Sequence, residues 1–379
     1  MAVSSETLIS RIRSAMNSAG LSQQSLAQAI GIDPSALSKA LGGVRNFKSL
    51  EVALIAERLG VSVQSLLSDS AEPTVAVAAR AQPDTSPALM SALDRSRFLL
   101  ELERLLADLG FGWSASLCDS SGLDGQAYAQ GAELSRRTRA WMGIGDDDLP
   151  YELTELSDLL EQKLGIDIGF EPLPTGLDGL CATCGGFRLA LVSSNIAATR
   201  QRFTLAHELG HLVAGDSQDL LVDEDVFGRR TPEETRANAF AAAFLMPEAA
   251  IRAAVPHGGA SEEIVAQLLG RFGVSLDALA FRLHNVGVVN AAGRDRVRSM
   301  SSNRIALRSG RASDLQARGD RRAPGNLLDR AMEAYFQGRI SVRPLAELLA
   351  IDPELLLAEL RPPTEVTADE TADSMEYNL

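Results

Sequence analysis

The sequence predicts an α+β chain that is mostly α: an N-terminal all-α bundle of short helices, a central domain with a small sheet, and a C-terminal helical region. Three observations predict it. Apolar residues recur at helical spacing along most of the 379 residues. Alternation is confined to two short segments near 166–170 and 187–192. A stretch over 69–97, rich in Ala, Pro, Ser, Thr and Asp, has no period and reads as a linker.

Residues 6–68 divide into several helices. Leu8, Ile9, Ile12 and Met16 keep helical spacing, and Gly20 stops that run. Ser22 is placed to cap a second helix, which Gly31 ends. Asp33 caps a third, with Pro34 at the first helical position, where a missing N–H costs nothing. Gly42 and Gly43 stop it, and two more helices are predicted over 48–58 and 62–68.

Beyond the linker, residues 98–290 hold predicted helices at 98–110, 132–142 and 152–164, then the two strands, then helices at 200–213, 232–245, 261–272 and 275–285. Residues 291–325 are rich in Arg, Ser and Gly and read as a linker, solvated in preference to touching nucleic acid. Residues 326–361 predict a small helical accessory domain, and 362–379 a disordered acidic tail.

Composition narrows the class. A chain that is 45% hydrophobic can bury a sizeable core, yet no run of 18 apolar residues spans a membrane. Three cysteines make no disulfide framework, and the N-terminus has no signal-peptide pattern, so a cytoplasmic protein is expected. The net charge of −14 argues against coating nucleic acid with the whole surface. The charge is uneven: residues 291–330 carry ten Arg and four Asp.

The chemistry sits in His207-Glu208-Leu209-Gly210-His211. Spacing i, i+4 puts both imidazoles on one helix face, one turn apart, where they can share one Zn²⁺. Glu208 is placed to take a proton from a water activated by that ion, and then to protonate a leaving amine. Two of the chain's four histidines fall in this motif, and its flanks are apolar, so the helix is buried. A catalytic zinc takes a third protein ligand. The first turn of the 232–245 helix offers Glu233 and Glu234, and periodicity does not choose between them.

Arg202-Phe203-Thr204-Leu205-Ala206-His207-Glu208-Leu209-Gly210-His211-Leu212, with Glu234-Thr235-Arg236-Ala237-Asn238-Ala239-Phe240-Ala241 and Leu245-Met246-Pro247, resembles the ImmA/IrrE metallopeptidases over roughly 130–290. Phe272-Gly273-Val274-Ser275 and Leu177-Asp178-Gly179 share in the likeness. The resemblance implies a gluzincin-like site, with His207, His211 and Glu234 as ligands of one zinc and Glu208 as general base. It also implies cleavage of a transcriptional repressor in answer to stress or a mobile element.

Residues 8–66 resemble the lambda-repressor-like (XRE) helix-turn-helix, through Leu21-Ser22-Gln23-Gln24, Leu26-Ala27, Gly31, Ser35, Leu37-Ser38-Lys39, Leu41 and Gly43. The helix from Pro34 would enter the major groove, with Ser35, Ser38 and Lys39 toward DNA and Gln24 on phosphate. Such modules usually dimerise on an operator, so double-stranded DNA and a second copy are expected partners beside a protein substrate. The alternative is a DNA-binding regulator whose zinc domain binds or senses a partner without cutting it. Cys181-Ala182-Thr183-Cys184 is a lone pair at redox spacing, for which two reduced strand or turn cysteines is the preferred reading. His257 and His284 lack metal spacing and read as structural or surface residues.

Overall fold

A computed structural model describes residues 5–18, 21–59, 87–216, 231–255, 259–316 and 319–360. The chain divides into two compact units, Met1–Glu72 and Pro73–Leu379. The helix expected over 62–68 and the acidic tail lie outside the described residues, as does His257.

The first unit is all α: α1 (Ser5–Ser18), α2 (Gln23–Ala29), α3 (Pro34–Leu41) and α4 (Ser49–Leu59). Ser22 Oγ accepts the Ser25 N–H at 3.1 Å, and Asp33 Oδ1 accepts that of Ser35 at 2.8 Å, so both expected caps form. Gly31 turns the chain between α2 and α3 at φ +70°, a conformation that costs a glycine little. Ile12, Leu26, Ala27, Leu37, Val52 and Ile55 close the core.

The second unit opens with α5 (Pro87–Asp108), α6 (Ala127–Trp141) and α7 (Leu153–Leu164). A three-stranded sheet follows: β1 (Asp167–Glu171), β2 (Gly179–Cys184) and β3 (Phe187–Ser193). The order is β1-β3-β2, with β1 parallel and β2 antiparallel to β3. Then come α8 (Ala198–Ala214), α9 (Pro232–Leu245), α10 (Glu248–Ala254), α11 (Glu262–Phe272), α12 (Leu276–Asn285), α13 (Ala291–Arg298) and α14 (Ser302–Arg308). A 3₁₀ turn (Ala312–Leu315) leads to α15 (Gly325–Phe336), α16 (Val342–Leu349) and α17 (Pro353–Leu360). The mostly helical α+β prediction holds, and no single helix among the described residues is long and apolar enough to cross a membrane.

Both faces of the sheet are buried, because side chains alternate across a strand. Ile168, Phe170, Cys181, Ala190 and Val192 join the core shared with α8 and α9. Leu180, Ala182, Leu189 and Leu191 join a second core with Leu99, Leu102 and Leu106 of α5 and Leu327, Ala331 and Leu345 of α15 and α16. Residues 326–360 therefore cover the sheet, where the sequence predicted a separate accessory domain. The polar face of β1 meets charges: Asp167 Oδ1 accepts the Leu327 N–H at 2.7 Å, and Glu171 pairs with Arg95 at 2.7 Å. Glu161 of α7 accepts from the N–H of Gly325 at 2.8 Å and pairs with Arg322 at 2.5 Å. Buried carboxylates need such partners, since an unpaired one costs several kcal/mol.

Two further expectations are corrected. α5 starts at Pro87, inside the segment predicted as linker to residue 97. The segment 291–325 contains α13, α14 and the 3₁₀ turn, and two of its arginines serve the fold: Arg311 donates to the Ala266 carbonyl at 2.8 Å and Arg322 to Glu161. Cys181 and Cys184 lie on opposite sheet faces and are free thiols, which excludes a bond between them without rebuilding β2.

Candidate metal centre

α8 is buried from Gln201 to Val213 with only Phe203 half-exposed, as its apolar flanks predicted. Gly215, at φ +68°, ends it in the left-handed conformation that favours glycine. α9 starts at Thr231, whose Oγ1 accepts the Glu234 N–H at 3.3 Å, with Pro232 at the first helical position. This cap fixes the first turn and aims Glu234 at α8; Glu233 stays exposed and outside the cluster.

Two glycines let the helices approach. A Cβ on Gly210 would sit 3.1 Å from the Phe240 ring, and one on Gly131 of α6 would sit 2.2 Å from the Arg236 carbonyl oxygen. A side chain at position 131 would force α6 from the backbone of α9, and one at position 210 would press on the Phe240 ring.

The result is a triangle of donor atoms. His207 Nε2 and His211 Nε2 are 3.2 Å apart. Glu234 Oε2 lies 3.5 Å from the first and Oε1 3.4 Å from the second. In a tetrahedral zinc site with bonds of about 2.0–2.1 Å the donors stand about 3.3 Å from one another. The residues therefore fit such an ion, and three ligands leave a fourth position for water.

The electrostatics point the same way. His211 Nδ1 lies 2.7 Å from Asp216 Oδ2, and Asp216 Oδ1 is bonded in turn to Arg236 of α9. The Asp216 contact holds the Nδ1–H tautomer and turns the Nε2 lone pair toward the triangle. Burial disfavours charge on the His211 ring, yet Asp216, Glu234 and Glu208 together push its pKa up to about 10. A pocket this rich in carboxylates demands a cation, as a proton or as a metal.

Glu208 is buried at 2% exposure beside this triangle. The backbone of β2 passes close to it: a Cβ on Gly179 would lie 3.1 Å from Glu208 Oε1 and 2.5 Å from Thr204 Cγ2. Asp216, Arg236 and Gly179 thus shape the site without having been assigned a role from the sequence. Asp216 follows the glycine that ends α8, where helical spacing no longer says where a side chain points.

On the first unit Gln24, Ser35, Ser38 and Lys39 are all exposed. The Ser35 hydroxyl donates to Asp33 Oδ1, so toward a ligand it is left as an acceptor. Arg45 is held by Glu51 at 2.8 Å, and Arg13 donates to the Leu41 carbonyl at 3.2 Å.

Comparison with known proteins agrees with this geometry. Residues 161–284 match the family model of the IrrE N-terminal-like domain, and residues 12–66 match that of the helix-turn-helix. A relative from Deinococcus radiodurans, the radiation response metalloprotease IrrE, is 37% identical over 123 residues, 31% of this chain and 37% of that protein. Its namesake from Deinococcus deserti is 33% identical over 123 residues, 28% of this chain and 44% of that protein. The chain thus spans less than half the length of either relative. Residues 161–284 are thus similar to the IrrE N-terminal-like domain, and residues 12–66 to a helix-turn-helix of the XRE kind.

Proposed function

We propose that the chain is a zinc-dependent, site-specific endopeptidase of the cytoplasm that cleaves a transcriptional repressor in a bacterial stress response. The observation that supports this best is the donor triangle of His207, His211 and Glu234 with Glu208 beside it. Zinc held by these three residues supplies Lewis acidity and a coordinated water of lowered pKa. Glu208 accepts a proton from the attacking water and returns it to the leaving amine. Its burial keeps the carboxylate out of bulk solvent and in place beside the ligands. Asp216 orients His211, and Gly179 leaves Glu208 its room. The helix-turn-helix brings the enzyme to double-stranded DNA, with Gln24, Ser35, Ser38 and Lys39 as contacts.

The test is a comparison of wild type with Glu208→Gln in cells, with and without DNA damage, in which new protein N-termini are mapped. General acid–base catalysis contributes about 10²–10⁴-fold, so a cleaved regulator should appear with wild type and vanish with the variant while zinc stays bound. Identical N-termini under several stresses, with zinc bound to both proteins, would favour a DNA-binding regulator that does not cut.

A further inference from the structure

The helix pair that carries the donors also walls a cavity of about 600 Å³, within the usual range of about 300–1,000 Å³ for ligand sites. Phe203 lines it one turn before His207, on the same face of α8. Asn238 and Ala242 line it one and two turns after Glu234 on α9, and Asn238 Nδ2 donates to the Glu234 carbonyl at 2.8 Å. A helical turn rises about 5.4 Å, so the cavity opens about one turn from the metal triangle. An extended peptide advances about 3.4 Å per residue. A peptide whose carbonyl sits at the triangle therefore carries a neighbouring side chain into this space.

The lining says which side chain. Ala242 and Ala278 make small walls, and Phe203 and Phe281 make apolar ones. Two of the polar groups bond the backbone: His284 Nδ1 bonds the Val289 carbonyl at 3.2 Å, and Arg282 Nε donates to that of Met246 at 2.9 Å. Those hydrogen bonds serve the fold; Thr235 and Asn285 add polar edges, and the greater part of the wall is apolar. Two aromatic residues stand at its mouth, Tyr128 at 53% and Phe281 at 42% exposure. The guanidinium groups of Arg294 and Arg298 lie 5.5 and 5.0 Å from the Phe281 ring centre and hold it in place.

We infer that this cavity receives a large apolar side chain, aromatic or long aliphatic, of a peptide residue that flanks the scissile bond. The inference rests on the peptidase reading and names the substrate feature that it selects. The first experiment needs no cleavage. N-acetylphenylalanine amide, N-acetylalanine amide and N-acetylglutamate amide are titrated into the zinc-loaded full chain and followed by NMR shifts. The phenylalanine amide should bind at least about tenfold more tightly than the alanine amide, as one filled apolar pocket provides. Ala242→Leu and Ala278→Leu should each erase that preference while the melting temperature stays at the wild-type value. Equal binding of the three amides, preference for glutamate, or a preference that survives both fillings overturns the inference.

The second experiment exposes a mixture of proteome-derived peptides to wild type and to the filled variants. Wild type should cut beside Phe, Tyr, Leu or Met, and the variants beside smaller residues. Cleavage without that preference removes the cavity inference and keeps the peptidase. The binding preference without any cleavage keeps the cavity and removes the peptidase.

Discussion

Replacing Asp216 by Ala should loosen the metal without touching a ligand. Asp216 Oδ2 lies 2.7 Å from His211 Nδ1, and its side chain is only 9% exposed, so no water readily takes its place. Without it the ring is free to rotate and to place its proton on Nε2, the atom that faces the triangle. Loss of such an outer partner costs about 10–100-fold in metal affinity, or about 1.4–2.7 kcal/mol. A structural effect must be told apart from this one, because Asp216 also anchors Arg236 on α9. Asp216→Asn separates them, since its amide oxygen still accepts from Nδ1–H while the charge toward Arg236 is lost. The assay is competition for zinc against a fluorescent chelator, with the melting temperature of the metal-free protein as control. The order of affinity should be wild type, then Asn, then Ala, and the ¹⁵N shifts of His211 should report mixed tautomers in the Ala variant. An Ala variant that holds zinc as tightly as wild type, with an unchanged His211 tautomer, would refute the reasoning.

Three further outcomes follow from other parts of the molecule. Gly131→Ala should lower the melting temperature by an overpacking cost of about 1–3 kcal/mol and weaken zinc binding with it, because the new Cβ meets the backbone of α9, which carries Glu234; a wild-type melting curve would contradict this. Burial raises the pKa of Asp167 from 3.8 to about 7, against the Leu327 N–H and Arg330 and with the repulsion of Glu161 and Glu103, so the ionised form is disfavoured in the fold. Stability from this group is therefore full at low pH and lost as pH rises from about 4 through about 7, by on the order of 2–4 kcal/mol. Urea titrations at pH 5 and 7.5 should show a shallower loss for Asp167→Asn than for wild type, and parallel losses would count against it. Lys39→Ala should weaken binding to all DNA sequences alike and lower the slope of log affinity against log salt by about one; fluorescence anisotropy at several salt concentrations would reveal an unchanged slope if Lys39 makes no phosphate contact.

What the sequence reveals depends on whether one face of an element meets solvent. α3 is amphipathic and carries its own cap and stop, so Asp33, Pro34 and Gly42 could be read directly. β2 is buried on both faces along most of its length, and its run Gly-Leu-Cys-Ala-Thr-Cys shows no alternation, so periodicity leaves strand and turn open there. α9 is rich in alanine and packed against both α6 and α8, which is why spacing could not separate Glu233 from Glu234. The cap at Thr231 settles where each of them points. In 291–325 most described arginines do face water, as Arg296, Arg304 and Arg308 show, but composition does not reveal the two that serve the fold. Arg311 and Arg322 instead satisfy carbonyl and carboxylate groups inside the fold.

The packing of the central helices and the chemistry of the triangle are one design. His211 lies in the last turn of α8, where the helix dipole is negative, and Glu234 lies in the first turn of α9, where it is positive and favours a carboxylate. His211 and Glu234 thus each sit at the helix end that suits the charge they carry or meet. Gly210 against Phe240 lets α8 and α9 approach, and Gly131 against Arg236 does the same for α6 and α9. A second strut crosses the gap, from His211 through Asp216 to Arg236. Moving α9 outward by the width of one methyl group would open donor spacings of 3.2–3.5 Å beyond what one ion can span. Free energy gained at an ion held by these three residues would therefore also be free energy that holds α8 to α9.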